Sequence, residues 1–135
     1  MTSKQKLVFP ALDPVTYIPL VDELASKPDS SAKRTAADRA YYAAFLTSRD
    51  QLTTKGYITP HYNSDDHKYV AENLKILLGS FGNEENRLRT ARNQVTYDTR
   101  ELTQNQGQPS LKWMIDTAKQ IIQRVSELPI HSNKK

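Results

Sequence analysis

Apolar residues recur along this chain at three- and four-residue intervals, in stretches separated by proline, glycine and polar runs. Asp13 and Pro14 read as a cap followed by proline at the first helical position, and Tyr17, Leu20, Val21 and Leu24 then keep helical spacing until Pro28 stops it. Pro19 falls inside that stretch, so the spacing predicts a distorted first turn or a later start. Asp29, Ser30 and Ser31 offer the next cap, and from Ala32 to about Thr54 the chain is rich in alanine and long side chains, which favour helix. Ala36, Ala40, Ala43, Ala44 and Leu46, with Tyr41, Tyr42 and Phe45, give that helix a broad apolar surface. Its small alanines would let a partner helix approach closely, and Gly56 ends it.

Residues 57–63 hold a proline and no helical period, which predicts a connecting loop. Ser64, Asp65 and Asp66 start a third helix with acidic residues in its first turn, as the helix dipole favours. Val70, Leu74, Leu77, Leu78 and Phe81 form its core face, and Gly79 and Gly82 bracket its end. A fourth helix opens at Asn83, Glu84 and Glu85 with the stripe Leu88, Ala91 and Val95, and weakens after Tyr97 or Thr99. Residues 104–108 are polar loop. Pro109 and Ser110 start a last helix, with Leu111, Ile115, Ala118, Ile122 and Val125 inward, Met114, Ile121 and Leu128 flanking, and Pro129 at its end. No alternation of period two and no internal repeat occurs. The pattern predicts an all-α, up-and-down helical bundle of about five helices: one domain over residues 13–128, a loose arm over 1–12 and a tail over 129–135.

Within that frame residues 87–98 stand out. They crowd Arg87, Arg89, Arg92, Asn93, Tyr97 and Asp98 around a thin apolar stripe. Arg89, Arg92, Asn93 and Thr96 fall on one adjoining polar face, since residues three and four apart are neighbours on a helix. A dense polar row beside a core face is where a small helical protein would place a site.

Composition narrows the chemistry. The 135 residues carry a formal net charge of +4, which permits contact with nucleic acid phosphate and is also ordinary for a soluble protein. The absence of cysteine excludes disulfides, thiol chemistry and cysteine-based zinc sites. No run of apolar residues is long enough to span a bilayer, and the charged N-terminus has no apolar stretch behind it, so a cytoplasmic location is expected. His61, Asp65, Asp66 and His67 could be drawn as metal ligands, but they lack the i, i+4 histidine spacing of common zinc helices. There is no glycine-rich phosphate loop and no serine-hydrolase elbow. No metal or cofactor is expected.

Two segments resemble one family. Residues 33–45, which include Arg39, Ala40, Tyr41, Tyr42, Ala43, Ala44 and Phe45, are similar to the first core helix of HEPN domains, often R-A-Y-Y-A-A-F. Residues 88–98, with Arg92, Asn93 and Tyr97, resemble the later HEPN helix that carries R-N-x-x-x-H or a related pattern. His67, between them, matches a histidine often seen at that place. The resemblance covers roughly residues 31–128. It implies a four- or five-helix bundle, usually a homodimer, in which the arginine helices of two protomers meet in a cleft. Active members are metal-independent ribonucleases, commonly toxins or antiphage effectors, and many are encoded beside a minimal nucleotidyltransferase that acts as antitoxin. Other members are inactive and serve as binding partners.

The chemistry such a site needs is plain. Metal-free RNA cleavage uses the ribose 2′-hydroxyl as nucleophile, so a proton acceptor near neutral pH is required, and histidine is the natural one. Arginine steadies the phosphorane by forked hydrogen bonds. The family spacing, R-x4-6-H, falls from Arg92 on Tyr97, Asp98 and Thr99, and tyrosine, with an ordinary pKa of about 10, is a poor base. Arg124 and His131 have that spacing, but they straddle Pro129. The site is then either degenerate or completed by His67 from another helix. Arg92, Asn93 and Tyr97 are the candidate catalytic residues, and Arg39, Tyr42, His67, Arg89 and Thr96 the candidate binding residues. Each has a plainer role beside it. Arg92 would be tied to Asp98 or Asp38, Tyr41 and Tyr42 would be core or interface aromatics, Arg39 would be solvated, and His67 would be a surface or capping residue.

Overall fold

A computed structural model describes residues 6–103 and 109–131. Its helices are α1 (Tyr17–Ala25), α2 (Ser30–Thr54), α3 (Asp65–Leu78), α4 (Asn83–Tyr97) and α5 (Leu111–Ser126), and there is no strand among the described residues. The fold class is therefore all-α. Four of these helices run 14 to 25 residues; α1 has only nine.

Caps set most of the starts. Asp29 accepts the Ala32 N–H at 3.3 Å to open α2, and the Ser110 hydroxyl accepts the Trp113 N–H at 3.0 Å to open α5. Asp13 takes the Val15 N–H, but the turn it caps is a 3₁₀ turn over Pro14–Thr16, and α1 begins only at Tyr17. Pro19 is thus the third residue of α1, where a backbone N–H would have no acceptor inside the helix. The third helix stops short of Phe81, at Leu78. The chain then tightens into a 3₁₀ turn over Gly79–Gly82. Gly79 holds a left-handed φ of 62°, and a Cβ on Gly82 would collide with the Leu74 carbonyl, so both glycines are required by the backbone.

Helix α2 is the hub, packed against α1, α3, α4 and α5. Ala36, Ala37, Ala40, Ala43 and Ala44 are buried, so the alanine surface does receive partner helices, and these are helices of the same chain. The last helix turns a wider stripe inward than its spacing suggested. Met114 and Ile121 are buried to about the same depth as Ala118 and Val125, while Leu111 and Ile122 are only half-buried, because α5 lies against both α2 and α4.

Two cations close helix C-termini, as the dipole favours. Lys55 Nζ donates to the Val125 and Ser126 carbonyls at 3.0 Å each, ending α5. The Arg34 guanidinium donates to the carbonyls of Val95, Asp98 and Arg100, ending α4. The start of the expected tail is tied back, through His131 N–H to the Lys55 carbonyl and the Tyr57 hydroxyl to the Pro129 carbonyl. Of the expected arm, residues 6–12 are exposed and non-helical. The expected loop 104–108 and the ends 1–5 and 132–135 lie outside the described residues. No helix among the described residues is long and apolar enough to cross a membrane.

Candidate functional site

The three helices α2, α3 and α4 converge on a polar, aromatic cluster. Arg92, on α4, donates from Nε to Asp38 Oδ1 of α2 at 2.7 Å, from Nη1 to Asn93 Oδ1 at 2.9 Å and from Nη2 to the Tyr42 hydroxyl at 3.4 Å. Arg39 holds the other oxygen of the same carboxylate, with Nε at 3.0 Å and Nη2 at 2.5 Å from Asp38 Oδ2. Both guanidinium groups also lie 5.0 Å from the centroid of the Tyr42 ring, within cation–π range. The Arg92 and Asp38 side chains are only 16% and 19% exposed. Burial works against the Arg92 charge, but Asp38, with Tyr42 and Tyr97, more than offsets it and holds the group cationic. Of the two partners the sequence offered Arg92, Asp38 is the one used. Asp98 pairs instead with Arg100 at 2.8 Å, and those hydrogen bonds bring its carboxyl down to about 2.

His67 reaches the cluster from the first turn of α3. Its Nδ1 lies 2.5 Å from the Tyr41 hydroxyl, and its ring stacks on Phe45 at 4.1 Å between centroids and 14° between planes. Its Nε2 has no hydrogen-bond partner among the described residues. Burial pushes the imidazole below its ordinary value, and Arg89 and Arg92 push it further, against the opposing pull of Asp66. The loop before α3 is held by Asp66, itself buried, which accepts the N–H groups of His61 and Tyr62 at 2.9 and 2.8 Å and lies 3.2 Å from His61 Nδ1. Burial would raise that carboxyl, but these donors keep it below the usual range. His61 and Asp66 therefore brace the start of α3, and no group of three or more metal-ligating side chains assembles among the described residues.

Behind the Tyr41 hydroxyl lies Glu85, from the first turn of α4, with no exposed surface. Tyr41 is within polar reach of it, yet neither carboxyl oxygen completes a hydrogen bond of ordinary geometry. Burial raises Glu85 to about 7, although Tyr41 and Arg89 pull the other way. The Tyr41 hydroxyl is itself pushed above its ordinary value by burial and then by Glu85. Arg89, half-buried beside them, makes no hydrogen bond or ion pair to a described residue.

Arg92, Asn93, Arg39, Tyr42 and His67 are thus brought together, with Arg89 acting on them through its charge. Thr96 is not, and Tyr97 touches the cluster only through its electrostatic effect on Arg92. Tyr97 is the last residue of α4, 76% exposed and without a hydrogen bond to a described residue, and Thr96 is likewise exposed and unbonded. Residues five apart on a regular helix point roughly 140° away from each other, so Tyr97 makes no hydrogen bond to Arg92, yet its phenol is near enough to be the smallest of the influences that favour the Arg92 charge. Arg124 and His131 are also apart, the first lying over the Phe81 ring and the second tilted against the Tyr57 ring.

Glu85 reads in the sequence only as an acidic first-turn residue, yet a signal of its burial was present. Counted back from Val95, Ala91 and Leu88, position 85 continues the buried stripe, so a carboxylate there had to be interior. No local pattern marks Arg34 as a helix-end tie, since the carbonyls it holds lie more than sixty residues away. A cleft of about 290 Å³ opens between the starts of α2 and α5, and none of the candidate residues lines it. No protein-family model matches the chain, and comparison with curated proteins and with solved structures gives no match.

Proposed function

We propose that this protein is a HEPN-like helical protein of a toxin–antitoxin or antiphage defence type that acts on or binds RNA as a cytoplasmic dimer, the arginine helices of two protomers forming the cleft. The observation that carries the reading is the meeting of Arg92, Asn93 and His67 around Tyr42, which supplies from three helices the groups that metal-free RNA cleavage needs. In this reading His67 Nε2 takes the proton of the ribose 2′-hydroxyl, Arg92 and Arg89 face the phosphorane charge, and the Tyr42 ring offers a base a stacking surface. Tyr97, exposed at the end of α4, would reach the cleft only from its rim.

The test is cleavage of single-stranded RNA by purified protein in chelator. Activity lost in both Arg92→Ala and His67→Gln, with helical content kept, supports the enzyme. A second reading has its own observation: Asp38, Asn93 and Tyr42 already engage the Arg92 guanidinium, as a structural tie would require. On that reading the protein is an inactive binding module for a nucleotidyltransferase or another defence protein. It expects no cleavage by the isolated protein and tight binding to a partner encoded beside it.

A further inference from the structure

We propose that Glu85, Tyr41 and His67 form a proton relay through which His67 Nε2 accepts a proton while its ring stays uncharged. The relay rests on the RNA-acting reading only for the source of that proton.

Two conflicts meet at this imidazole. A histidine that serves as a base must carry the proton it takes, yet His67 is half-buried and faces Arg89 and Arg92, whose charges oppose a third cation. Taken alone, it is a poor acceptor. The second conflict lies behind it: Glu85 is a carboxyl with no exposed surface and no completed hydrogen bond, a state that demands either a proton or a donor. The Tyr41 hydroxyl stands between the two, 2.5 Å from His67 Nδ1 and within polar reach of Glu85.

A phenol hydroxyl has one proton and accepts through its lone pairs, so Tyr41 cannot donate in both directions at once. With the ring neutral, only two arrangements satisfy it. With Glu85 ionised, Tyr41 donates to the carboxylate and accepts the His67 Nδ1–H, which leaves the lone pair on Nε2. With Glu85 protonated, its O–H donates to Tyr41, Tyr41 donates to Nδ1, and the ring proton sits on Nε2. The second arrangement holds one proton more than the first. When Nε2 takes a proton, the Nδ1 proton passes to the Tyr41 oxygen and the Tyr41 proton passes to Glu85. The gain ends as the loss of a buried negative charge, so no imidazolium forms beside the arginines.

The surroundings suit both ends. Burial brings Glu85 to about 7, where gaining and losing a proton are nearly balanced at neutral pH. Burial holds Tyr41 protonated, so it conducts a proton without becoming a source. The charged and titratable groups facing the chain are Arg89 and Arg92 from α4, Asp66 from α3 and Tyr42 from α2, and Phe45 fixes the plane of the imidazole.

The test is ¹⁵N NMR of the full chain labelled at histidine, without RNA, with His61→Gln and His131→Gln used for assignment. The expected result is a His67 proton on Nδ1 at pH 8 that moves to Nε2 as the pH passes through the Glu85 titration, the ring remaining neutral. That exchange is lost in Tyr41→Phe and in Glu85→Gln. A wild-type His67 that goes straight to imidazolium with no change of tautomer overturns the relay, and this result needs neither variant to fold. So does a tautomer exchange that both variants retain. Failure of the relay is distinguishable from failure of the proposed function: a tautomer exchange in a protein that leaves RNA intact keeps the relay and removes the ribonuclease, whereas RNA cleavage undiminished in Tyr41→Phe does the reverse.

Discussion

Helix α2 contributes to two very different environments. Its alanines meet neighbouring helices in an apolar interior in which Ala36, Ala40, Ala43 and Ala44 have no exposed surface. Asp38, Tyr41, Tyr42 and Phe45 meet α3 and α4 in an interior that holds charge: an aspartate shared by two arginines, an imidazole bound to a phenol, and a carboxyl with no hydrogen bond. Apolar packing of the first kind stabilises without regard to pH. The second kind stabilises less, because desolvating charges takes back much of what their attraction supplies. An interior that keeps such groups gives up stability where it keeps reactive ones.

The largest effect separates the two environments by their dependence on pH. Ile121 is 1% exposed on α5, against α2 and α4, and Ile121→Ala should destabilise by about 2–5 kcal/mol. Urea unfolding should give the same loss at pH 5 and pH 8, since no titrating group is touched.

Glu85→Gln should act with the opposite sign and only at one end of the pH range. The folded Glu85 carboxyl holds its proton to about 7, against an ordinary value of 4.5. Folded protein therefore binds more protons than unfolded protein between those limits, and stability falls as pH rises through them. The variant should match wild type near pH 4.5 and exceed it at pH 8 by on the order of 3 kcal/mol. Equal unfolding curves at pH 8 would mean that Glu85 finds a donor in solution, and the contrast between the two environments would weaken.

The helices themselves were legible because their signals are local. Asp29 and Ser110 do cap α2 and α5, and the stripe of α3 packs as spaced as far as Leu74. What escaped the sequence depends on contacts across the fold. Whether Phe81 closes a helix or sits in a 3₁₀ turn is decided by how near Gly82 comes to Leu74. The site was legible in part: Arg92 and Asn93 stood out by type and spacing, and Asp38 was one of two partners on offer. Pairing His67 with Tyr41 required knowing that α3 crosses α2 at that height, and spacing along one chain carries no such information.

The Asp38 carboxylate tests the charged environment from its centre. Asp38→Asn keeps the shape and leaves Arg92 and Arg39 without their counter-charge. With these side chains 16–33% exposed, water softens the loss to roughly 2 kcal/mol, read from urea unfolding. The same variant sharpens the functional question. If Arg92 clamps phosphate, freeing it from Asp38 should raise RNA affinity and steepen its salt dependence. If it is only a tie between α2 and α4, stability falls and RNA binding does not change.

The smallest effect should appear at the far end of the arginine helix. Arg34 reaches from the start of α2 to the carbonyl of Val95 in the last turn of α4 and to those of Asp98 and Arg100 just beyond it. Arg34→Met keeps most of the aliphatic stem and removes the donors. Water replaces much of what is lost at a partly exposed helix end, so global stability should drop by only about 1 kcal/mol. The local result should be larger, because the last turn carries Tyr97 and begins just beyond Arg92 and Asn93. Hydrogen exchange should quicken at Val95, Thr96 and Tyr97 while Leu88 and Ala91 keep wild-type protection. Acceleration along all of α4 would make Arg34 part of the charged interior rather than a cap at its edge, and the two environments of α2 would then share a residue.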